Sequence, residues 1–319
     1  METHKKQHYI PECYLKNFSF DDKGIFVYRK NQQNNVFKQS ISNIACEKKF
    51  YDIDATFLDN NHLEKTKYIE KEVFANGFEP IFANLLDKII SICHKWSFEK
   101  PLEILTEKER DYFAELIAVQ YLRMPNFRKK YWNANKEIYV KRSAIVQAFL
   151  SLEKPEFKNV SIDLNFDEKY ASAFHSDFIL NDEFRHMIQE QLVKKVWIYA
   201  YTDKNLHTSD NPILKKPHLP NKESFVEGFG MSGVEIIFPI SNNLLLTIWD
   251  EEYFSELLPL NNTVTKIDEK RLREYNSYQY CFAEHEIYSL SDDFDIIKVF
   301  KQLNDGKDYI GIKNQIKTH

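Results

Sequence analysis

Glycine is scarce in this chain, with seven in 319 residues. A cradle that lets backbone amides approach phosphate needs glycine at defined places, and neither G-x-x-x-x-G-K-[ST] nor G-x-G-x-x-G occurs. H-E-x-x-H and G-x-S-x-G are also missing, which sets aside zincin and nucleophile-elbow chemistry. No Arg is followed by His at the short gap typical of helical nucleotide-binding ribonucleases. The four cysteines, Cys13, Cys46, Cys93 and Cys281, stand far apart without a C-x-x-C pair, a usage that suits a reducing compartment. The ten histidines never cluster with Cys or carboxylates at structural-zinc spacing. No apolar run approaches the ~18 residues of a membrane span, and the polar opening from Met1 to Lys6 has no apolar signal core. A net charge of -5 supplies no global field toward nucleic acid or anionic membrane, though a local basic groove stays open. The expectation is a soluble, cytoplasmic protein that neither enters a membrane nor binds one.

Aromatic residues are plentiful, with 25 Phe and 18 Tyr, and the overall mix is that of an ordinary globular protein. Residues 8–55 read as short mixed elements, including a hairpin from Gly24–Tyr28 to Asn35–Phe37 around a polar turn at Asn31–Asn34. Helical spacing follows: Leu63, Ile69, Val73 and Phe74 form one stripe, ended by Gly77 and Pro80, and Ile81, Leu85, Ile89 and Ile92 form another. Thr106 and Glu109 compose a capping box, and Pro125 should stop that helix near Arg123 by driving Met124 out of the α region. A helix over Phe127–Leu152 and a polar linker over Lys158–Asn165 come next, then two helical patches at 167–178 and 182–193. Strands are expected at Val196–Tyr201, Ile236–Ile240, Leu244–Trp249 and Glu286–Leu290, with a helix over Asp268–Gln279 and a hairpin turn at Asn242-Asn243. Segregated runs predict an α+β fold: a central helical region flanked by a small N-terminal mixed segment and a C-terminal, mainly antiparallel sheet. The length fits one intimately packed domain over 1–319, divisible into a helical-rich half (1–157) and a sheet-rich half (166–319).

Three polar segments carry the candidate chemistry. In His8-Tyr9-Ile10-Pro11, Pro11 can open a helix that turns Tyr14, Leu15 and Phe18 inward, with His8 poised before it as a proton shuttle or a plain loop hydrogen bonder. On the capped helix, Phe113, Leu116, Ile117 and Gln120 share one face and Arg123 follows a turn later. A buried amide and guanidinium must be paired. Arg123 therefore either reads an anion, with Arg128 as a second positive group, or bonds helix carbonyls or a carboxylate such as Asp210. In Ser209-Asp210-Asn211-Pro212 the side chains cap a turn or present a site, with Asp210 as general base or Mg²⁺ ligand. Lys215, Lys216, Pro217 and Pro220 precede Gly228, Gly230 and Gly233, a composition that suits a lid or an irregular connection. Glu47-Lys48-Lys49 resembles half of a restriction-nuclease site, a triplet expected by chance here.

The catalytic candidates are therefore His8, Gln120, Arg123 and Asp210, and the substrate-binding candidates Tyr9, Arg128, Ser209 and Asn211. One reading is an enzyme, hydrolase- or nuclease-like, acting on nucleic acid or a nucleotide, with Mg²⁺ as the conceivable cofactor. The other is a non-catalytic binding or regulatory protein in which these residues form a structural network.

The motifs His8-Tyr9-Ile10-Pro11 with Tyr14, Leu15 and Phe18, Ala45-x-Glu47-x-x-Phe50-Tyr51, Gln120-x-x-Arg123-x-Pro125, Trp197, Ser209-Asp210-Asn211-Pro212 and Phe238-Pro239-Ile240-Ser241 resemble a bacterial family. That family is catalogued as domain of unknown function 4238. The resemblance runs from residue 8 to about 290 and implies a bacterial or phage-related intracellular protein. It implies no catalytic role for any residue.

Overall fold

Thr106 and Glu109 do what the capping box requires: the Thr106 hydroxyl accepts from the Glu109 amide, and the Glu109 carboxylate accepts from the Thr106 amide. In the computed structural model, which describes residues 6–30, 36–53, 68–95, 103–158, 160–219 and 228–294, this box opens α3 (Glu107–Leu122). Arg123 caps its C-terminus, Met124 is extended at ψ 143°, and Pro125 begins α4 (Pro125–Glu153). One proline thus ends one helix and starts the next. The turn expected over residues 31–34, Leu63, most of the acidic 52–59 loop and Pro220 lie outside the described residues.

Before α3 come β1 (Lys6–His8), α1 (Glu12–Leu15), β2 (Gly24–Arg29), β3 (Val36–Ser40), β4 (Cys46–Lys48) and α2 (Glu79–His94). The expected break at Gly77 and Pro80 does not occur. A π-helix over Ile69–Phe78 runs straight into α2, and Pro80 falls just past the junction, in the first turn of α2. After α4 come α5 (Lys169–Leu180), α6 (Asp182–Val193), β5 (Val196–Tyr201), β6 (Thr208–Ser209), β7 (Leu214–Pro217), β8 (Val234–Ser241), β9 (Leu244–Trp249), β10 (Thr263–Lys266), α7 (Glu269–Phe282) and β11 (Glu286–Ser289).

The larger sheet has the order β10-β5-β9-β8-β7, antiparallel except for the parallel β10–β5 pair. Its central strands β9 and β8 are buried along their whole length because helices cover both faces. Ile236 and Phe238 of β8 and Leu246 and Ile248 of β9 pack with Phe82, Phe113 and Leu116 of α2 and α3. The alternate residues Ile237 and Leu245 pack with Leu272 and Tyr275 of α7. Pro239 has no amide for the ladder, and the β8–β9 register slips there, between Pro239 and Ser241.

The second sheet, β3-β2-β11-β6, joins the N-terminal hairpin to the last described strand. The N-terminal segment, which precedes the central helices in the chain, thus pairs with the C-terminal half in space. The fold is α+β. Expected as a linker, the stretch after α4 folds back along it: Gln147 donates to the Val160 carbonyl and Phe166 packs its ring against Trp132 and Tyr139. Among the described residues no helix is long and apolar enough to cross a membrane.

Candidate functional site

His8 ends β1, held antiparallel to β4 opposite Cys46, and the Tyr9 amide donates to the Ala45 carbonyl. Pro11 is the extended N-cap of α1, its carbonyl receiving the Tyr14 and Leu15 amides, and Tyr14, Leu15 and Phe18 are buried. This leaves the His8 and Tyr9 carbonyls facing α3. Gln120 Nε2 donates to the Tyr9 carbonyl at 3.1 Å, and one turn on, Arg123 Nη2 donates to the His8 carbonyl at 2.5 Å. A Gln-x-x-Arg helix face therefore grips two successive carbonyls of an extended segment.

Arg123 is 2 % exposed and is held through its Nε and Nη2. Its Nε donates to the Tyr51 hydroxyl at 3.2 Å, its Nη2 pairs with Glu79 at 3.0 Å, and the guanidinium lies 3.9 Å from the Phe74 ring centre. Burial opposes the charge, but Tyr51, Glu79 and Glu70 outweigh it and hold the pKa above the ordinary arginine value. The carboxylate that Arg123 meets is Glu79, not Asp210.

Around this guanidinium lie two titratable groups whose terminal atoms are buried without a hydrogen-bond partner, His8 Nε2 and Glu70 Oε2. Burial pushes the Glu70 carboxyl up to about 7; Arg123 draws it down and Glu79 raises it again. Burial also lowers the His8 pKa, against the pull of Glu12, whose carboxylate lies 3.6 Å from Nε2.

Asp210 belongs to a second network. Thr208 and Ser209 form β6 beside β11, and the Asp210 carboxylate accepts three consecutive amides, Glu284 at 2.8 Å, His285 at 2.6 Å and Glu286 at 3.0 Å. Burial raises its pKa to about 6, with the three amides resisting the rise, so it is ionised at neutral pH. Ser209 donates to Gln279 at 2.7 Å, Gln279 donates to the Pro212 carbonyl at 3.1 Å, and Asn211 Nδ2 donates to the Phe282 carbonyl at 3.0 Å. The Ser-Asp-Asn-Pro segment thus stitches the C-terminus of α7 to the start of β11. Tyr9 sits between the networks: its carbonyl takes Gln120, while burial, then Asp210 and Glu286, raise its phenol pKa. Arg128 donates to the Phe50 carbonyl at 3.0 Å and to the Ser172 hydroxyl at 2.7 Å.

The two networks approach one cavity of about 40 Å³, lined by residues that include Tyr121, Asn126, Lys130, Asn211, Lys215 and Phe282. Asn126 follows the Gln-x-x-Arg helix end, and Asn211 belongs to the Ser-Asp-Asn-Pro loop. Lys215 Nζ donates to the Tyr121 hydroxyl at 2.9 Å and lies 4.8 Å from the Phe229 ring centre. Met124, Asn126 and Phe127, at the start of α4, line the same space, and no side chain caps that helix end. Lysines, a helix N-terminus and amides make this space suited to an anion.

A family model described as "Protein of unknown function (DUF4238)" matches residues 6–293. The chain belongs to the DUF4238 family. No curated protein and no solved structure matches it. Of the residues quoted from the sequence, His8, Tyr9, Tyr51, Gln120 and Arg123 meet in the Arg123 network, and Ser209, Asp210 and Asn211 in the Asp210 network. Tyr51, Glu70, Glu79, Glu286, Lys130 and Lys215 were missed as site residues; Tyr51 had a signal in its place beside Phe50 in a quoted motif, and Lys215 in its place before the glycine cluster. Glu47 is exposed on β4. Among the described residues no three His, Cys, Asp or Glu converge as ligands for a metal ion.

Proposed function

We propose that this protein binds a phosphate-bearing ligand in the cavity between the two networks, and that the motif residues frame the cavity without performing chemistry. One observation carries the reading. Arg123 and Asp210, the charged residues of the motifs, spend their hydrogen bonds inside the fold and are absent from the cavity lining, whereas Lys130, Lys215, Asn126 and Asn211 belong to that lining, with Lys130, Lys215 and Asn211 keeping partners of their own. A buried guanidinium already held by a carbonyl, a phenol and a carboxylate would have to give these up before holding a substrate anion. Lysine is a point-charge phosphate binder that leaves the ligand its orientation, and the neighbouring rings offer a nucleobase a stacking surface. The terminal phosphate of a nucleotide or a nucleic-acid end is the group we place there, the volume of about 40 Å³ leaving the rest of such a ligand outside the cavity. Four unpaired cysteines support the interior of a bacterial cell as its setting.

Calorimetric titration with inorganic phosphate, nucleoside triphosphates and a short oligonucleotide tests this. Lys215→Met and Lys130→Ala should each weaken binding by roughly tenfold, a change of about 1.4 kcal/mol. Binding that ignores both substitutions, or is absent for every phosphate ligand, contradicts the reading.

A catalytic reading has one specific observation in its favour, the unpartnered His8 Nε2 and Glu70 Oε2 beside Arg123. A Glu70 protonated near neutrality and a neutral His8 form an acid–base pair for hydrolysis of a phosphate ester. It predicts a turnover that His8→Gln abolishes without changing thermal stability; loss of stability and activity together returns His8 to the frame.

A further inference from the structure

The second half of α4 stands out from the body of the fold. Phe127 and Trp132 are buried, Val140 and Val146 are half exposed on other sides of the helix, and Ile138, Ile145, Phe149 and Leu152 are 46, 56, 63 and 82 % exposed. At about 100° per residue these four fall within a narrow stripe on one side of the helix. The neighbouring chain covers a different side, through Gln147, Ser151 and the Phe166 ring on Tyr139. The stripe leaves on the order of 400 Å² of apolar surface in water, a patch size that marks interaction sites.

We infer that this stripe is a self-association surface, taking α4 of a second copy of the chain in antiparallel alignment. Its symmetry argues for the second copy. Ile138 and Leu152 each stand seven residues from Ile145, so a two-fold axis at Ile145 lays Ile138 of each copy on Leu152 of the other and Ile145 on itself. The charges agree. Arg142 and Glu153 flank the same edge of the stripe, roughly 17 Å apart along one helix, and neither has an ion-pair partner among the described residues. In the antiparallel pair Arg142 of one copy lies over Phe149 of the other and reaches toward its Glu153. With the stems of Arg142 and Lys141 added, the interface reaches the low end of stable ones, about 1,200 Å² in total, which sets a micromolar rather than a nanomolar dimer.

Sedimentation velocity on the full chain from about 1 to about 200 µM should show monomer giving way to dimer. Ile145→Glu should remain monomeric over that range with an unchanged thermal midpoint, because the side chain is exposed. Arg142→Glu should weaken the dimer about tenfold, and Arg142→Glu with Glu153→Arg should restore it, which simple surface polarity would not. Ile145→Cys should give an oxidant-dependent crosslinked dimer beyond the level of the wild type, and Val140→Cys, on the other side of the helix, should not. A wild type that stays monomeric at every concentration overturns the inference, as does a dimer indifferent to Ile145→Glu. So does a monomer whose stripe instead binds a foreign protein or lipid vesicles.

Discussion

Two of the buried charges in this fold, Arg123 and Asp210, are neutralised by different means. Arg123 draws on side chains from distant segments, Tyr51 and Glu79, together with the His8 carbonyl. Asp210 draws on backbone alone, three amides in a row at Glu284, His285 and Glu286. A side-chain partner can titrate, move or be replaced, and Glu79 is 28 % exposed. Backbone donors can do none of these. The Asp210 network is therefore the one fixed by backbone, and the Arg123 network is the one built on side chains, with Glu70 beside it raised to about 7 against about 6 for Asp210.

Substitutions can break that contrast, beginning where the effect should be greatest. Asp210→Ala strips three buried amides of their acceptor at once, and should cost about 4 kcal/mol or leave the protein unfolded, as read by urea unfolding. Arg123→Lys keeps a charge but loses the forked geometry and the stacking on Phe74, and should cost about 2–3 kcal/mol by the same measurement. Gln120→Ala releases only the Tyr9 carbonyl and should cost about 1 kcal/mol.

The smallest effect sharpens the difference in pH response. Glu70 has its folded pKa raised by burial to about 7, so the fold favours the protonated form. Its contribution is fully present below the ordinary carboxylate range and fades as pH rises through about 7. Thermal midpoints measured from pH 5 to pH 8, a range of about three units around neutrality, should therefore fall less steeply in Glu70→Gln than in the wild type. Equal slopes would show that the Glu70 carboxyl is not held neutral by the fold.

Much of this was legible where the signal is local. The capping box, the Pro125 stop and the β8–β9 hairpin each depend on a few adjacent residues, and each stands where the pattern puts it. The shared face of Gln120 and Arg123 was legible from spacing too, and both are 2 % exposed. Their partners were not legible. Backbone carbonyls of His8 and Tyr9 carry no residue-type signature, and Glu79 stands 44 residues from Arg123 in the chain. The same holds for Asp210, whose donors are amides 74 to 76 residues away. The π-helix escaped because a wider turn leaves the apolar spacing close to that of an α-helix, so Gly77 and Pro80 read as a break. Pairing of β2 with β11 joins the two ends of the described chain, and alternation in one strand says nothing about its neighbour.

Urea unfolding of Asp210→Asn, followed on the same samples by titration with the phosphate ligands, tests most directly whether the motifs are frame or machinery. The substitution keeps size and one acceptor but adds an amide donor facing three others. The account predicts a loss of about 2–4 kcal/mol with an unchanged denaturant slope, and ligand affinity preserved in the folded fraction. Wild-type stability together with abolished binding would contradict it.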